Sequence, residues 1–388
     1  MIDVLIADDS PTSLSYIKEL LSIDEEFRIV AQAKNGIDAV RLAQETRPNV
    51  IVMDLFMPGL DGFEATQEIM RTTPTPIIIV SASARVNDID VSMKALKAGA
   101  LTILGKPKLS VRMSLEETAQ GFIQIVKAMA NVKVIRHYMQ LPPVQASTQD
   151  SGRHQPLKPG AEEPARINLT SARHRALTSD VIEACSSAVQ FQPNYSNPED
   201  FKPLVVALLT STGGPLALAT ILSQLPKDFH LPVLIVQHIS PGFISGYVDW
   251  LGKNSTIPVK IAEHGEPLRA GTVYFAPDDF HLGMDVGRNI SLSNAPSIRG
   301  FRPSGNHLFE SVSNSCNGQV LGVVLTGMGN DGVDCLNGFR KLGGKVIAQD
   351  EQSCTVYGIP RAAVEANCVD KVVSLQDIAK EIVEMCRK

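Results

Sequence analysis

Apolar runs of strand length alternate with amphipathic segments along the first third of the chain. The runs lie at residues 4–7, 50–53, 77–80 and 101–104. Between them, apolar residues recur at helical spacing, as at residues 14–21, 37–44 and 93–98. Buried strands that alternate with helices predict an open parallel sheet with helices on both faces. We therefore expect a doubly wound α/β domain over residues 1–130.

The same alternation resumes in the last part of the chain. Strand-like runs lie at residues 205–209, 231–236, 272–276, 320–325 and 345–348. They predict a second doubly wound parallel-sheet domain over residues 201–388. The intervening residues 131–200 contain seven prolines and little apolar periodicity, which is typical of a long, mostly flexible linker.

Composition narrows the class of protein. The 388 residues are 44% hydrophobic and carry a formal net charge of −5, which argues against a generic nucleic-acid-binding protein. No uninterrupted apolar stretch has membrane-spanning length, and no signal peptide is recognisable. The six cysteines include no Cys-x-x-Cys pair, so we interpret them as reduced thiols. These features predict a cytoplasmic protein without membrane insertion or nucleic-acid partner.

Polar residues follow the strand-like runs of the first domain. Asp8 and Asp9 end the first run, Asp54 follows residue 53, Ser81 follows residue 80, and Lys106 comes after the last run. Ligands of α/β sheets bind at the carboxyl ends of the strands, so these side chains should converge. Three carboxylates suit Mg²⁺, while a lysine and a hydroxyl suit a phosphoryl group. Each residue alone could instead be a surface charge or a helix cap.

Residues 1–130 resemble the response-regulator receiver domain of two-component signalling, which is flavodoxin-like. The resemblance rests on Asp8-Asp9, Met53-Asp54-Leu55, Met57-Pro58-Gly59-Leu60-Asp61-Gly62, Ser81 and Lys106-Pro107. It implies that Asp54 accepts a phosphoryl group from a histidine kinase, and that Ser81 and Lys106 sense that group. It further implies that Asp9, Asp54 and the Phe56 carbonyl bind Mg²⁺ directly and Asp8 through water, and that the Lys106–Pro107 bond is cis.

A serine, a histidine and a carboxylate follow three strand-like runs of the second domain. Ser211 lies in a glycine-rich turn between a run and a helix that Pro215 can begin, where backbone N–H groups favour negative charge. His238 and Asp331 follow two further runs. If these strands are neighbours, the three residues meet as a triad. They could also be a cap, a strand-end histidine and a turn residue; the rival bases are His264, His281 and His307.

Residues 201–388 resemble the Rossmann-like catalytic domain of the chemotaxis protein-glutamate methylesterases. The matching pieces are Ser211-Thr212-Gly213-Gly214, Gln237-His238, Arg302-Pro303-Ser304 and Leu325-Thr326-Gly327-Met328-Gly329-Asn330-Asp331-Gly332. The resemblance implies a triad of Ser211, His238 and Asp331, with the N–H groups of Thr212 and Met328 as oxyanion donors. It implies hydrolysis of glutamate γ-methyl esters on cytoplasmic helices of chemoreceptors, deamidation of receptor glutamines, and no cofactor in the esterase site.

The chain departs from this family at two places. Leu209-Thr210 stand where the family commonly has Gly-Ala, and Gly305-Asn306 stand where it usually has Val-Asp. The first change could narrow the cleft, and the second could remove a carboxylate near the substrate. A phosphorylation-dependent signalling adaptor with a weakened esterase domain is therefore the alternative to a phosphorylation-activated enzyme.

Overall fold

The computed structural model of the protein describes residues 1–81, 89–107, 115–132, 134 and 201–387. Nearly all of the predicted linker, residues 131–200, lies outside the described residues. Among those described, no helix combines the length and the apolar composition needed to cross a bilayer.

The first domain is a five-stranded parallel sheet in the order β2-β1-β3-β4-β5. Its strands are β1 (Ile2–Ala7), β2 (Phe27–Ala33), β3 (Val50–Met53), β4 (Ile77–Ser81) and β5 (Thr102–Gly105). Its helices are α1 (Pro11–Leu21), α2 (Gly36–Thr46), α3 (Gly62–Thr72), α4 (Ile89–Ala98) and α5 (Leu115–Ala130). Every residue of β3 and β4 is buried, because helices cover both faces of the sheet. The prediction of a doubly wound domain is confirmed.

The second domain is a seven-stranded parallel sheet in the order β14-β13-β12-β6-β7-β9-β8. Its strands are β6 (Val205–Thr210), β7 (Val233–Gln237), β8 (Val259–Ile261), β9 (Val273–Phe275), β12 (Val320–Val324), β13 (Lys345–Gln349) and β14 (Lys371–Val373). Strands β10 (His281–Met284) and β11 (Ile290–Ser293) form a separate antiparallel pair that the apolar pattern did not predict. The helices are α6 (Gly214–Gln224), α7 (Ile244–Asn254), α8 (Gly305–Ser315), α9 (Val333–Lys341), α10 (Ile359–Glu365) and α11 (Leu375–Met385).

The position of β6 decides where chemistry can occur in the second domain. This strand pairs with β12 on one side and with β7 on the other, with Leu209 beside both Val324 and Val236. The three strands are parallel, so the residues that follow them meet at one edge of the sheet. The condition on which the predicted triad depends, that these strands are neighbours, is therefore met.

Helix α4 of the first domain packs against α7 of the second. Met93 of α4 belongs to the same buried apolar cluster as Tyr247 and Leu251 of α7. The helices approach closely at Gly246, where an added β-carbon would lie 3.3 Å from Ile89 Cβ. The first domain is therefore held near the sheet edge to which β6 leads.

Candidate functional site

The carboxylates of the first domain form one acidic cluster. Ligand oxygens of Asp8, Asp9 and Asp54 all lie within 4.8 Å of one another. Asp8 and Asp54 are buried, with 1% and 7% of their surfaces exposed, whereas Asp9 is exposed to solvent. Carboxylate oxygens are the ligands that Mg²⁺ prefers, so this donor set fits a divalent cation. The contribution of the Phe56 carbonyl stays a prediction.

Lys106 reaches into this cluster from the end of β5. Its Nζ lies 2.6 Å from Asp8 Oδ2 and 3.1 Å from Asp54 Oδ2. Burial acts to lower the pKa of Lys106, but its contacts with the two carboxylates outweigh burial and raise that pKa. Burial raises the pKa of Asp54, while Lys106 opposes the rise.

Two further predictions concern the neighbours of Asp54. The Ser81 hydroxyl is buried and has no hydrogen-bond partner among the described residues, which suits a sensor of an added phosphoryl group. The prediction of a cis Lys106–Pro107 bond was wrong, because this bond is not cis. Within the described ranges, the cis peptide bond is Arg302–Pro303. The trans isomer is intrinsically favoured before proline, and Lys106 makes both of its ion pairs with the trans bond.

The turn after β6 holds Ser211 at the carboxyl end of the sheet. Thr210 Oγ1 donates to the Thr326 carbonyl at 2.8 Å, and the Ser211 N–H donates to the same oxygen at 3.1 Å. Gly213 adopts φ 81°, a conformation that favours glycine, and an added β-carbon there would overlap the Thr355 side chain. The turn is therefore fixed to the loop after β12.

His238 is tied to the same turn by its neighbour Gln237. The Gln237 amide donates to the Ser211 carbonyl at 2.9 Å and to the His238 carbonyl at 2.8 Å. Nε2 of His238 lies 3.0 Å from Asp331 Oδ2. The other ring nitrogen, Nδ1, is buried and has no hydrogen-bond partner in the part of the chain that the structure describes.

Asp331 is 1% exposed and accepts several hydrogen bonds. The Gly305 N–H donates to Oδ2 at 2.6 Å, and the Ser304 hydroxyl donates to Oδ1 at 2.7 Å. Burial acts to raise the pKa of Asp331, but the bonds from His238, Gly305 and Ser304 prevail and hold that pKa below its ordinary value. Asp331 is therefore a carboxylate that can orient the imidazole and stabilise its charged form.

One cleft brings most of the predicted residues of the second domain together. Ser211, Thr212, His238 and Met328 all line it. The N–H groups of Thr212 and Met328 donate to no other residue in the described ranges, which leaves them available to a substrate oxygen.

The three rival histidines have other partners. His264 Nδ1 accepts from the Leu292 N–H at 3.1 Å. His281 contacts the Pro296 carbonyl and stacks on His307, with ring centroids 4.8 Å apart. Of these three histidines and His238, His238 is the one that lines the cleft with Ser211.

The comparisons with known proteins concern both domains. Residues 206–382 match the CheB methylesterase family, and residues 4–114 match the response regulator receiver domain. The chain is 38% identical over 386 residues to protein-glutamate methylesterase/protein-glutamine glutaminase 4 of Myxococcus xanthus, covering 99% of this chain and 97% of that one. The chain belongs to the protein-glutamate methylesterase/protein-glutamine glutaminase family.

Other members of this family are similar over comparable lengths. A member from Syntrophus aciditrophicus is 37% identical over 385 residues, covering 99% of this chain and 98% of the relative. The crystal structure of the Thermotoga maritima CheB methylesterase catalytic domain is 35% identical and covers 47% of this chain and 99% of that one, with a TM-score of 0.46. Family and receiver domain together identify a chemotaxis methylesterase and glutamine deamidase that phosphorylation regulates. The boundaries at residues 130 and 201 stay predictions.

The departures from the family pattern lie in the protein core. Leu209 and Thr210 are fully buried, and Leu209 packs in an apolar cluster with Leu308 and Phe309 of α8. Asn306 is 5% exposed, and its amide points toward Asp334 at 3.4 Å. Neither Leu209 nor Asn306 is among the described residues that line the cleft. Any effect of these two residues on the cleft would therefore be indirect.

Two residues that contact the candidate triad were not predicted from the sequence. Ser304 caps the amino terminus of α8 and donates to Asp331. Phe301 stacks on the imidazole of His238, with ring centroids 4.3 Å apart and an interplanar angle of 15°. A serine just before an amphipathic helix is a recognisable capping signal, whereas no local pattern predicts the contact of Phe301.

Proposed function

We propose that Ser211, His238 and Asp331 form the catalytic triad that hydrolyses glutamate γ-methyl esters on cytoplasmic chemoreceptor helices. The same residues would deamidate selected receptor glutamines. The observation that carries the proposal is the arrangement of His238: its Nε2 is bonded to Asp331, and its unpartnered Nδ1 belongs to a ring that lines the Ser211 cleft. This arrangement leaves Nδ1 as the nitrogen that can take the serine proton.

In acylation, Ser211 Oγ attacks the ester carbonyl carbon while its proton passes to Nδ1 of His238. The tetrahedral intermediate collapses when the bond to the methoxy oxygen breaks and His238 returns the proton to that oxygen, which releases methanol. In deacylation, water loses a proton to His238 and adds to the acyl carbon. The bond to Ser211 Oγ then breaks as that oxygen regains its proton, which yields glutamate and free enzyme.

Negative charge on the carbonyl oxygen is the main cost of both half-reactions. The N–H groups of Thr212 and Met328 are our candidates for the donors that stabilise it, because both residues line the cleft. Deamidation follows the same course, with ammonia as the leaving group. These steps use no cofactor.

In the receiver domain, we assign Asp54 as the carboxylate that takes a phosphoryl group from a chemotaxis histidine kinase in the cytoplasm. Asp9, Asp54 and the Phe56 carbonyl would hold Mg²⁺, with Asp8 acting through water. When bound, the cation offsets the negative charge of the carboxylates and of the incoming phosphoryl group. Lys106 and Ser81 would then contact the phosphoryl oxygens.

Methanol release from methylated receptor membranes tests this proposal. We expect Ser211→Ala to lower turnover at least about a thousandfold, with or without a small phosphodonor, because no other group in the mechanism replaces the nucleophile. Ser223→Ala, which removes an exposed hydroxyl from α6, is the matched control and should retain wild-type turnover. Ordinary turnover by Ser211→Ala would rule out the covalent mechanism.

A further inference from the structure

The imidazole of His238 is held from two directions. Asp331 bonds to its edge at Nε2, and the Phe301 ring lies against its face with centroids 4.3 Å apart and planes 15° from parallel. The His238 side chain is only 11% exposed. Two nearly parallel rings in contact leave the imidazole little freedom to tilt. The hydrogen bond from His238 to Asp331 still allows the imidazole to tilt about that bond, and Phe301 restrains this tilt.

The backbone that carries Phe301 is itself fixed. Ile298 and Phe301 exchange both of their backbone hydrogen bonds at 3.0 Å, which closes a tight hairpin. The turn residues Arg299 and Gly300 adopt φ 50° and 87°, as a two-residue hairpin turn requires. Arg299 also forms an ion pair with Asp334 of α9 at 2.9 Å. The hairpin that carries the stacked ring thus also contacts the helix that follows Asp331.

We propose that Phe301 is a positioning residue for His238 and that deamidation depends on it more than ester hydrolysis does. The inference rests on the proposed triad. Its structural basis is the fixed stacking of Phe301 on the proton carrier. The consequence for the two reactions follows from their leaving groups.

The two leaving groups need the imidazole proton to different degrees. The C–N bond of an amide breaks only after the nitrogen has been protonated, because the amide anion is too basic to leave. A methoxy oxygen is much less basic, so its departure can run ahead of proton transfer. The face of an aromatic ring also favours positive charge on a neighbouring group, such as an imidazole that carries the serine proton. Misdirecting that proton should therefore slow ammonia release more than methanol release.

The test compares Phe301→Leu and Phe301→Tyr in the full-length protein. Leucine keeps apolar bulk but loses the flat ring, whereas tyrosine keeps the ring. For Phe301→Leu we expect kcat for ammonia release from receptor glutamines to fall roughly tenfold and kcat for methanol release roughly threefold, with KM unchanged. Phe301→Tyr should keep both rates, and their ratio, at the wild-type values. Phe280→Leu is the control, because Phe280 is 39% exposed and is not among the described residues lining the cleft.

The outcomes separate this inference from the proposed function. If Ser211→Ala abolishes both activities but Phe301→Leu lowers both rates by the same factor, the triad stands and the positioning role is overturned. Phe301 also lines the cleft, so a change confined to KM would mean that it acts only as a wall of the substrate site, which would overturn the positioning role. If both rates are unchanged in Phe301→Leu, the positioning role is likewise overturned. If Ser211→Ala stays active, the triad itself fails.

Discussion

A β-carbon on Gly305 would overlap the side chain of Leu209. Leu209 is fully buried at the end of β6, and Gly305 begins α8 with its N–H bonded to Asp331 Oδ2 at 2.6 Å. The larger residue at 209 thus occupies the space that the smaller residue at 305 leaves. A larger residue at 305 would therefore compete with Leu209 for the same space in the core.

This relationship predicts strong coupling between the two positions. Gly305→Ala should cost about 1–3 kcal/mol of unfolding free energy by overpacking, and Leu209→Ala about 2–5 kcal/mol by leaving a cavity. The double variant should be more stable than the sum of the two losses by about 1–2 kcal/mol, since each change relieves the other. Urea denaturation measures all four proteins.

The control for this cycle is Gly338→Ala in α9, where an added β-carbon would meet nothing within 4 Å. That change should be neutral or stabilising by up to about 1 kcal/mol. Additive losses in the Leu209–Gly305 cycle would show that the two positions are independent. Gly305→Ala should also lower kcat, because the displaced N–H supports Asp331.

Several strands could be predicted because buried parallel strands are continuous apolar runs. Strands β6 and β12 are buried at every residue and stand out in the sequence for that reason. Strands β10 and β11 could not be predicted, since His281, Gly283 and two serines interrupt their apolar pattern. Short antiparallel pairs outside the main sheet carry no long run to recognise.

The candidate triad was predictable because each of its members follows a strand of the central sheet. The residues that support the triad were not, because their contacts bridge distant segments. Ser304 meets Asp331 across 27 positions of sequence, and Phe301 reaches His238 from a hairpin that no local pattern encodes. Supporting contacts of this kind depend on the tertiary fold.

The stacked pair of His281 and His307 predicts a loss of stability in mild acid. Burial, and then the charge of His281, lower the pKa of His307 to about 4. Burial also lowers the pKa of His281, and the charge of Arg302 lowers it further. The Pro296 carbonyl and Asp331 oppose this decrease. Because unfolded histidine titrates near pH 6.5, the unfolded state binds more protons between about pH 6.5 and 4. Stability should therefore fall as the pH falls through that window, by up to about 3 kcal/mol from His307.

Urea denaturation at pH 7.5 and at pH 5 measures how far the free energy of unfolding falls between the two pH values. This fall should be smaller in His307→Gln than in the wild type, because glutamine takes up no proton. His230→Gln, in the segment before β7, is the control and should keep the wild-type decline. An unchanged decline in His307→Gln would show that other groups, such as His281 or the carboxylates, cause the acid sensitivity.

The acidic cluster of the receiver predicts metal-dependent phosphorylation at one residue. Asp54→Asn should abolish acyl-phosphate formation from a small phosphodonor, since an amide oxygen cannot be the nucleophile. Removal of Mg²⁺ with a chelator should do the same to the wild type. Asp9→Ala should raise the Mg²⁺ concentration needed for half-maximal labelling at least about tenfold. Glu45→Gln, an exposed change on α2, is the control, and wild-type labelling of Asp54→Asn would refute the assignment.

The contact between α4 and α7 predicts how phosphorylation reaches the esterase cleft. Met93 of α4 lines the same cleft as Ser211, so the receiver in this position would obstruct a helical substrate. We expect Gly246→Leu to push Ile89 away and raise the basal esterase activity of the unphosphorylated protein toward that of residues 201–388 alone. In that isolated domain the same substitution should change nothing, which controls for effects on the cleft itself.

Trp250 offers a direct readout of the same movement, because it is the single tryptophan of the chain and its ring lies 5.2 Å from Lys97 Nζ of α4. A small phosphodonor with Mg²⁺ should change its fluorescence in the wild type but not in Asp54→Asn. Lys97→Met should change the fluorescence of the unphosphorylated protein, since it removes the cation from the indole face. If residues 201–388 alone were no faster than the unphosphorylated full-length protein while phosphorylation still activated the latter, obstruction would fail as the mechanism. The receiver would then have to act as a positive effector, for example by changing the turn that holds Ser211.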